Sequence, residues 1–332
     1  MKEETAVQRY ENKRVLGMDQ HDLSLFTRRY GIVFIMIAMF IVLSLSSSSF
    51  LTFGNVTNIL STVALNGVLA MGMVFVITAG GIDLSIGAML ALSSTFIGII
   101  LEATGNIALA CLGSIAVCTL FGMINGLLIA KFQMFPFVVT LASQLVIRGI
   151  GYVVSGGYSF ALANPDFTQI GLGKLFKTIP YPILILLGIT IMAYLVLHWT
   201  RFGRYVYSVG GNIGAAKASG VNVFWTQAST YIISGFCAGV AGIIMTARIN
   251  AAQPNIGIGY ETDAIAACVI GGTSFAGGIS TIPGTLVGII IIGLIYNGMN
   301  LVGVSSYWQM IWKGLLIIGA VMIDTLLNKR KK

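Results

Sequence analysis

Residues 76–88 read VITAGGIDLSIGA and place two adjacent glycines, a carboxylate and a hydroxyl inside an otherwise apolar run. Gly80 and Gly81 favour a break in regular structure, because glycine adopts backbone angles that other residues avoid. Asp83 and Ser85 follow the break, and the apolar run then resumes at once. What this interruption does depends on whether water or lipid surrounds the apolar runs on either side.

The composition indicates lipid. Only 9% of the 332 residues are charged and 56% are hydrophobic, whereas a soluble domain typically carries about 25% charged residues. Apolar runs of about 20 residues recur along the chain, and this is the length that crosses a bilayer core as a helix. The 41 glycines agree with this reading, since membrane helices use small residues for close packing. We therefore predict an all-α polytopic membrane protein with about ten transmembrane helices.

The ten predicted spans vary in strength. Arg148 interrupts the fifth, and the eighth is short and rich in glycine, so either could enter and leave the membrane on one side. The spans are residues 31–50, 58–80, 84–101, 106–130, 136–154, 180–199, 225–247, 263–279, 282–303 and 307–327.

Basic residues orient these spans. With ten crossings and a cytoplasmic N-terminus, fourteen Lys and Arg residues lie on the inner side and three on the outer side, as the positive-inside rule requires. We expect a cytoplasmic segment at 1–30, a transmembrane domain at 31–327 with a cytoplasmic loop at 200–223, and a basic cytoplasmic tail at 328–332. The net charge of +8 then orients the chain, and we predict no nucleic-acid partner.

The polar interruption has two interpretations within lipid. A non-helical break survives there only where protein buries it or a wet cavity adjoins it. Asp83 and Ser85 are good N-cap residues for the following helix, and a carboxylate at this depth also marks candidate pathway positions. The second half of the chain contains a similar glycine-rich interruption of an apolar run, VIGGTSFAGGISTIPGT at residues 269–285. It includes the glycine pairs Gly271–Gly272 and Gly277–Gly278. Interrupted segments in both halves of a transporter indicate a substrate path.

Other polar side chains inside spans extend the candidate pathway. Amides and hydroxyls could bind a neutral polyhydroxylated solute weakly, although a single amide more often joins helices. An arginine within a span needs a partner, and a carboxylate of another span is one possibility. The candidate pathway residues are Asp83, Ser85, Gln144, Arg148, Asn297 and Asn300.

The predicted inner loop resembles a docking element. It reads TRFGRYVYSVGGNIGAAKASGVNV at residues 200–223, and GAAKASG favours a short helix that ends at Gly220. A simple linker would not need an internal helix, whereas a docking site for a cytoplasmic partner would. The candidate residues are Arg201, Gly203, Arg204, Gly211, Asn212, Lys217 and Gly220.

Several functions lack sequence support. The spans contain no ladder of Asp, Glu and His for proton relay. The chain has no G-x-x-x-x-G-K-[ST] loop for ATP phosphates and no trio of nucleophile, base and orienting residue. Its four cysteines have no C-x-x-C spacing, which argues against a metal site or disulfide framework. We predict no bound metal or cofactor and no enzyme activity.

Five stretches together closely resemble the membrane-spanning permease subunits of ABC-type monosaccharide importers, the ribose, xylose, arabinose and galactoside group. The resemblance covers about residues 31 to 327 and is far less specific for the sugar than for the family. The stretches are GGIDLSIGA (80–88), FPFVVTLASQLVIRG (135–149), TRFGRYVYSVGGNIGAAKASGV (200–221), GYETDAIAACVIGGTSFAGG (259–278) and GTLVGIIIIGLIYNGMNLVG (284–303).

The resemblance implies a type II ABC importer-like permease in a bacterial cytoplasmic (inner) membrane. It implies a pore between two permeases, either two copies or this chain and a paralogue. ABC ATPase subunits that use ATP-Mg would dock on the cytoplasmic face, where Gly203, Arg204, Gly211, Asn212 and Lys217 match the expected contact region. An extracytoplasmic sugar-binding protein would deliver the solute.

One position departs from the family. Relatives often carry an acidic residue after the GGN sequence, where this chain has Ile213–Gly214, so the local ATPase contact is expected to differ. The solute could be a pentose, a hexose, an inositol or a related polyol-like molecule. A self-contained secondary transporter or channel for a small polar solute is the alternative function.

Overall fold

The computed structural model describes residues 14–15, 18–162 and 164–329. The predicted cytoplasmic segment 1–30 and the basic tail 328–332 therefore lie partly outside the described residues. Within them the chain is mainly helical, as the composition predicts. The helices are α1 Gln20–Ser46, α2 Phe53–Thr78, α3 Ile86–Thr104, α4 Ile107–Phe132, α5 Pro136–Ser155, α6 Pro165–Leu172, α7 Tyr181–Trp199, α8 Arg201–Gly211, α9 Ile213–Ala218, α10 Val223–Ile249, α11 Tyr260–Ile270, α12 Ile282–Leu301 and α13 Ser306–Lys329.

Six two-residue strands accompany the helices in this part of the chain. They form three antiparallel pairs, β1 with β2, β3 with β6 and β4 with β5. The strands are β1 Arg14–Val15, β2 Met18–Asp19, β3 Phe160–Ala161, β4 Lys174–Leu175, β5 Ile179–Pro180 and β6 Ala251–Ala252.

Seven of the described helices are long and apolar enough to cross a membrane: α2, α3, α4, α5, α7, α10 and α12. The apolar part of α1, Gly31–Ser46, is shorter, and α13 covers the predicted tenth span. The fifth predicted span forms the complete 20-residue helix α5. This confirms the membrane-protein fold class.

The eighth predicted span is not a continuous helix. Helix α11 has 11 residues, or about 16 Å at 1.5 Å per residue, against a bilayer core of about 30 Å. Turns replace the helix after Ile270, where Gly272, Gly277 and Gly278 adopt positive φ angles. The expectation of one helical span at 263–279 is therefore corrected to a half-length helix followed by an irregular segment.

Helices α2, α3 and α10 form the centre of the bundle. Most of their apolar windows are buried within the chain, whereas only 22% of the corresponding window is buried in each of α4, α5 and α7. Helix α10 packs most extensively on α4. Small residues allow this approach: a methyl group added at Gly122 would lie 2.3 Å from the carbonyl oxygen of Tyr231, and one at Gly235 would lie 2.4 Å from that of Cys118.

The chain between α10 and α12 has to return across the bundle. Helix α10 begins next to α9 and ends near α6, where a methyl group on Gly171 would meet the backbone of Arg248. Helix α12 begins beside the turns at 277–278, which again contact α8. The two helices therefore run in the same direction, and residues 250–281 bring the chain back. We call the irregular stretch 250–259 the return segment.

Gly122→Ala should destabilise the protein, because its methyl group would overlap the α10 backbone, and overpacking of this kind costs about 1–3 kcal/mol. Gly188→Ala is the matched control, since a methyl group on this α7 glycine meets nothing within 4 Å. Thermal unfolding of purified protein in detergent measures both variants. Equal midpoints for the two would contradict the close packing of α4 on α10.

Candidate functional site

The Asp83 carboxylate is completely buried, and both of its oxygens accept hydrogen bonds. Asp83 is 0% exposed. Its Oδ1 accepts hydrogen bonds from the Ser85 amide at 3.0 Å and the Ser85 hydroxyl at 2.5 Å, and its Oδ2 accepts from the Ser234 hydroxyl at 2.8 Å. Asn125 Nδ2 donates to Ser85 Oγ at 3.0 Å. This network joins the start of α3 to α4 and α10.

The network explains how α3 begins. Ser85 occupies the N-cap position but makes no side-chain cap bond, because its hydroxyl is committed to Asp83. The expected side-chain capping of α3 is therefore corrected: Asp83 and Ser85 instead join the start of α3 to α4 and α10. Their assignment to a substrate pathway stays a prediction.

Arg148 binds the return segment. Its Nη1 donates to the carbonyl oxygen of Pro254 at 3.2 Å and to that of Ile256 at 2.5 Å. The irregular backbone there leaves carbonyls without helical partners, so a charged donor in a neighbouring span can satisfy them. Within the described part of the chain Arg148 has no carboxylate within ion-pairing distance. The possible ion pair for this arginine is therefore replaced by bonds to carbonyl groups.

The six predicted pathway residues do not form one cluster. Asp83 and Ser85 share the buried network, while Gln144 lies one turn before Arg148 on α5 and is half-buried like it. Asn297 exchanges hydrogen bonds with Asn55 of α2 at 2.7 and 3.1 Å. Asn300 is exposed and accepts a bond from Gln309 at 2.8 Å. Asn297 and Asn300 thus behave as the amides that join helices.

An ion pair that the sequence analysis did not predict lies at the start of α11. Lys313 Nζ is 2.7 Å from Asp263 Oδ1 and also donates to the carbonyl oxygen of Gly259. The Tyr296 hydroxyl donates to the same carboxylate oxygen at 2.6 Å. The sequence does show a lysine and an aspartate within two apolar segments, which could have suggested an ion pair. Fifty positions separate them, however, and only the folded chain brings them together.

The predicted docking loop forms two short helices. Thr200 caps α8 by accepting from the Gly203 amide, and Asn212 caps α9 by accepting from the Ala215 amide. Gly220 follows α9 with φ +79°, which confirms the predicted short helix and its glycine end. A methyl group on Gly203 would overlap the α7 backbone. Exposed members of the loop are Arg201, Arg204, Gly211, Asn212, Lys217 and Gly220.

Three of the six predicted break glycines, Gly80, Gly277 and Gly278, lie against this loop. Helix α2 ends at Thr78, and Gly80 reverses the chain with φ +83°. An added methyl group on Gly277 would lie 3.1 Å from the Gly80 Cα and 2.7 Å from the Gly210 carbonyl oxygen. One on Gly278 would lie 2.7 Å from the Gly211 Cα. We call this meeting of Gly80, Gly210, Gly211, Gly277 and Gly278 the glycine junction.

The remaining predicted glycines serve local packing. A methyl group on Gly81 would lie 2.3 Å from the Tyr231 hydroxyl, and one on Gly271 would lie 2.6 Å from the backbone of Gly284. Gly272 turns the chain after α11 with φ +88°. Gly210 was missed as a site residue, although it adjoins the predicted Gly211 in the same GGN sequence.

Comparison with known proteins places this chain in a family. The family profile described as "Branched-chain amino acid transport system / permease component" matches residues 55–321. This chain belongs to that permease family. It is 40% identical to the ribose import permease protein of Escherichia coli K12 over 89% of this chain and 92% of the relative. It is 44% identical to that of Bacillus subtilis 168, with 86% and 88% covered, and 38% identical to the D-allose transport system permease protein of Escherichia coli K12, with 93% and 95% covered. No solved structure matches the chain.

Asp83→Ala should destabilise the protein by about 1–3 kcal/mol, because two buried hydroxyls and an amide lose their acceptor. Asp83→Asn keeps one acceptor oxygen and should lose less. Thermal unfolding in detergent measures both, with Asp166→Ala as the control, since Asp166 is exposed on α6. If Asp83→Ala unfolds at the same temperature as the control, the network does not hold the helices.

Arg148→Met should loosen the return segment. Bonds to charged groups contribute about 1.5–3 kcal/mol each, so amide hydrogen exchange at residues 253–259 should accelerate about tenfold or more. Lys131→Met, an exposed change at the end of α4, should leave this exchange unaltered. Unchanged protection in Arg148→Met would show that other contacts hold the segment.

Proposed function

We propose that this chain is the membrane-spanning subunit of an ATP-driven importer for a monosaccharide or a related polyol-like solute. The observation that carries the proposal is identity of 38–44% over nearly the full length of relatives named for ribose and D-allose transport. Their match extends through both glycine breaks and the α8–α9 loop, so it includes the parts that would translocate the solute and couple to a motor.

The α8–α9 end of the bundle is the cytoplasmic end in this proposal. Thr200, Asn212 and Asn222 cap successive helices there and fix their directions, while the cations Arg204 and Lys217 remain exposed. A rigid, exposed and basic helix pair suits an ATPase subunit as its partner. ATP hydrolysis with Mg²⁺ then takes place on that separate subunit, and both termini lie on the same cytoplasmic side of a bacterial inner membrane.

The translocation path requires a second permease. Helix α5 presents a large apolar surface that includes Phe137, Leu141 and Leu145, and it carries Gln144 and Arg148 at its border with the rest of the chain. A second copy or a paralogue would cover this surface, with lipid around the remaining exposed helices. Among the predicted pathway residues, these two are therefore the best placed to face a pore at the interface.

The proposed mechanism alternates between two packings of the spans. An extracytoplasmic sugar-binding protein docks at the end opposite α8–α9 and delivers the solute. ATP-driven closure of the ATPases moves the α8–α9 loop, and a shift from 1:99 to 99:1 between the two packings takes about 5.5 kcal/mol. Weak binding by polar side chains such as Gln144 allows release, so the binding protein sets most of the specificity.

Reconstitution in liposomes tests the function. This chain with its ATPase and loaded binding protein should import a monosaccharide only when ATP is present, and the chain alone should carry none. Solute flux through the chain alone, dependent on an ion gradient or on diffusion, would support the alternative of a secondary transporter or channel.

Arg204→Glu should weaken ATPase docking about tenfold or more, because it places a negative charge on the exposed face of α8. Lys174→Glu makes the same charge change at the opposite end of the bundle and serves as the control. Co-purification of the ATPase with each variant measures docking, and thermal unfolding confirms that both fold. If Arg204→Glu retains the ATPase and couples hydrolysis to uptake normally, α8 is not the docking surface.

A further inference from the structure

We propose that Tyr207, Ser280 and Thr78 form a relay that transmits movement of α8 to both backbone breaks at once. This inference rests on the proposed function, because it assigns these residues a role in coupling ATP hydrolysis to transport. They are positioning residues, since none of them needs to touch the solute. We call them the hydroxyl relay.

The relay is a continuous chain of hydrogen bonds across three segments. The Tyr207 hydroxyl of α8 donates to the Ser280 carbonyl oxygen at 3.0 Å, and Ser280 Oγ donates back to that hydroxyl at 3.3 Å. Thr78 Oγ1, at the end of α2, lies 2.7 Å from Ser280 Oγ and 2.5 Å from the Val74 carbonyl oxygen. Its one hydrogen can be donated to either, and when it goes to Val74 the Ser280 hydroxyl can donate to Thr78 in return. Thr78 and Ser280 are buried, at 0% and 6% exposure, so water does not readily replace these bonds.

A backbone bond completes the link between the two halves. The amide of Gly278 donates to the carbonyl oxygen of Thr78 at 2.9 Å. Gly210 of α8 lies directly against this bond, since an added methyl group there would be 1.8 Å from the Thr78 oxygen and 2.7 Å from the Gly278 nitrogen. The end of α8 therefore cannot move toward α2 without displacing both partners.

The relay acts on the ends of two central helices. Thr78 is the last residue of α2, and Ser280 lies two residues before the start of α12. Apolar contacts between helices can slide, whereas directed hydrogen bonds hold a fixed geometry. A displacement of α8 by its ATPase would thus move the end of α2 and the start of α12 at the same time. Both halves of the bundle would then respond as one unit.

Tyr207→Phe tests the relay because it removes one hydroxyl and keeps the ring. In the full complex with ATPase and binding protein, solute imported per ATP hydrolysed should fall about fivefold or more, while ATPase docking stays at the wild-type value and the variant remains folded at the assay temperature. Tyr194→Phe, on the neighbouring helix α7, is the matched control and should keep the wild-type ratio. A normal ratio in Tyr207→Phe, or a loss explained by failed docking or unfolding, would overturn the proposal.

Thr78→Val tests the far end of the relay with a side chain of nearly the same shape. Because the relay acts in series, the double variant Tyr207→Phe/Thr78→Val should lose no more coupling than the more impaired single variant. Losses that multiply would show two independent contacts in place of one relay.

A second readout does not depend on any solute. In the wild-type complex, Mg-ATP should change amide hydrogen exchange at both breaks, residues 79–85 and 271–281. In Tyr207→Phe the change at 271–281 should shrink at least threefold. An undiminished change would overturn the relay, whereas a wild-type complex that responds to ATP but imports no monosaccharide would refute the proposed function and leave the relay standing.

Discussion

The structure depends on one constraint: lipid offers no hydrogen-bond partner, so every backbone group that leaves a helix within the bundle must be satisfied by protein. This chain leaves regular helix at two glycine-rich breaks and along the return segment. Each departure has its own solution. Arg148 donates hydrogen bonds to carbonyl groups of the return segment. Hydroxyl groups and an amide donate to Asp83. At the glycine junction, backbone packs directly on backbone.

This constraint changes how polar residues in the spans are interpreted. Such residues are costly within a membrane and attract functional explanations, yet Asn297 pairs with Asn55, and Lys313 pairs with Asp263. The first pair joins the start of α2 to the later part of α12, and the second joins the half-length helix α11 to α13. These polar groups therefore hold helices together, and any contact with a solute has to be compatible with that task.

The sequence predicted the fold class, most helices and the α8–α9 loop, because apolar length and glycine ends are local signals. It also located the breaks at Gly80 and Gly277–Gly278. It could not predict that these breaks meet each other and Gly210, since nothing local indicates which distant backbone a glycine will touch. The partners of Arg148 and Lys313 were missed for the same reason: one binds carbonyls, which every residue carries, and the other binds a carboxylate fifty positions away.

Helix α11 has a consequence for how the protein is made. Its 11 residues include the acidic Glu261 and Asp263, and a segment so short and charged does not partition into a bilayer by itself. Yet α10 and α12 point the same way, so the chain between them must be threaded back through the membrane. During synthesis α11 therefore depends on neighbouring helices to provide a groove before it can enter the membrane.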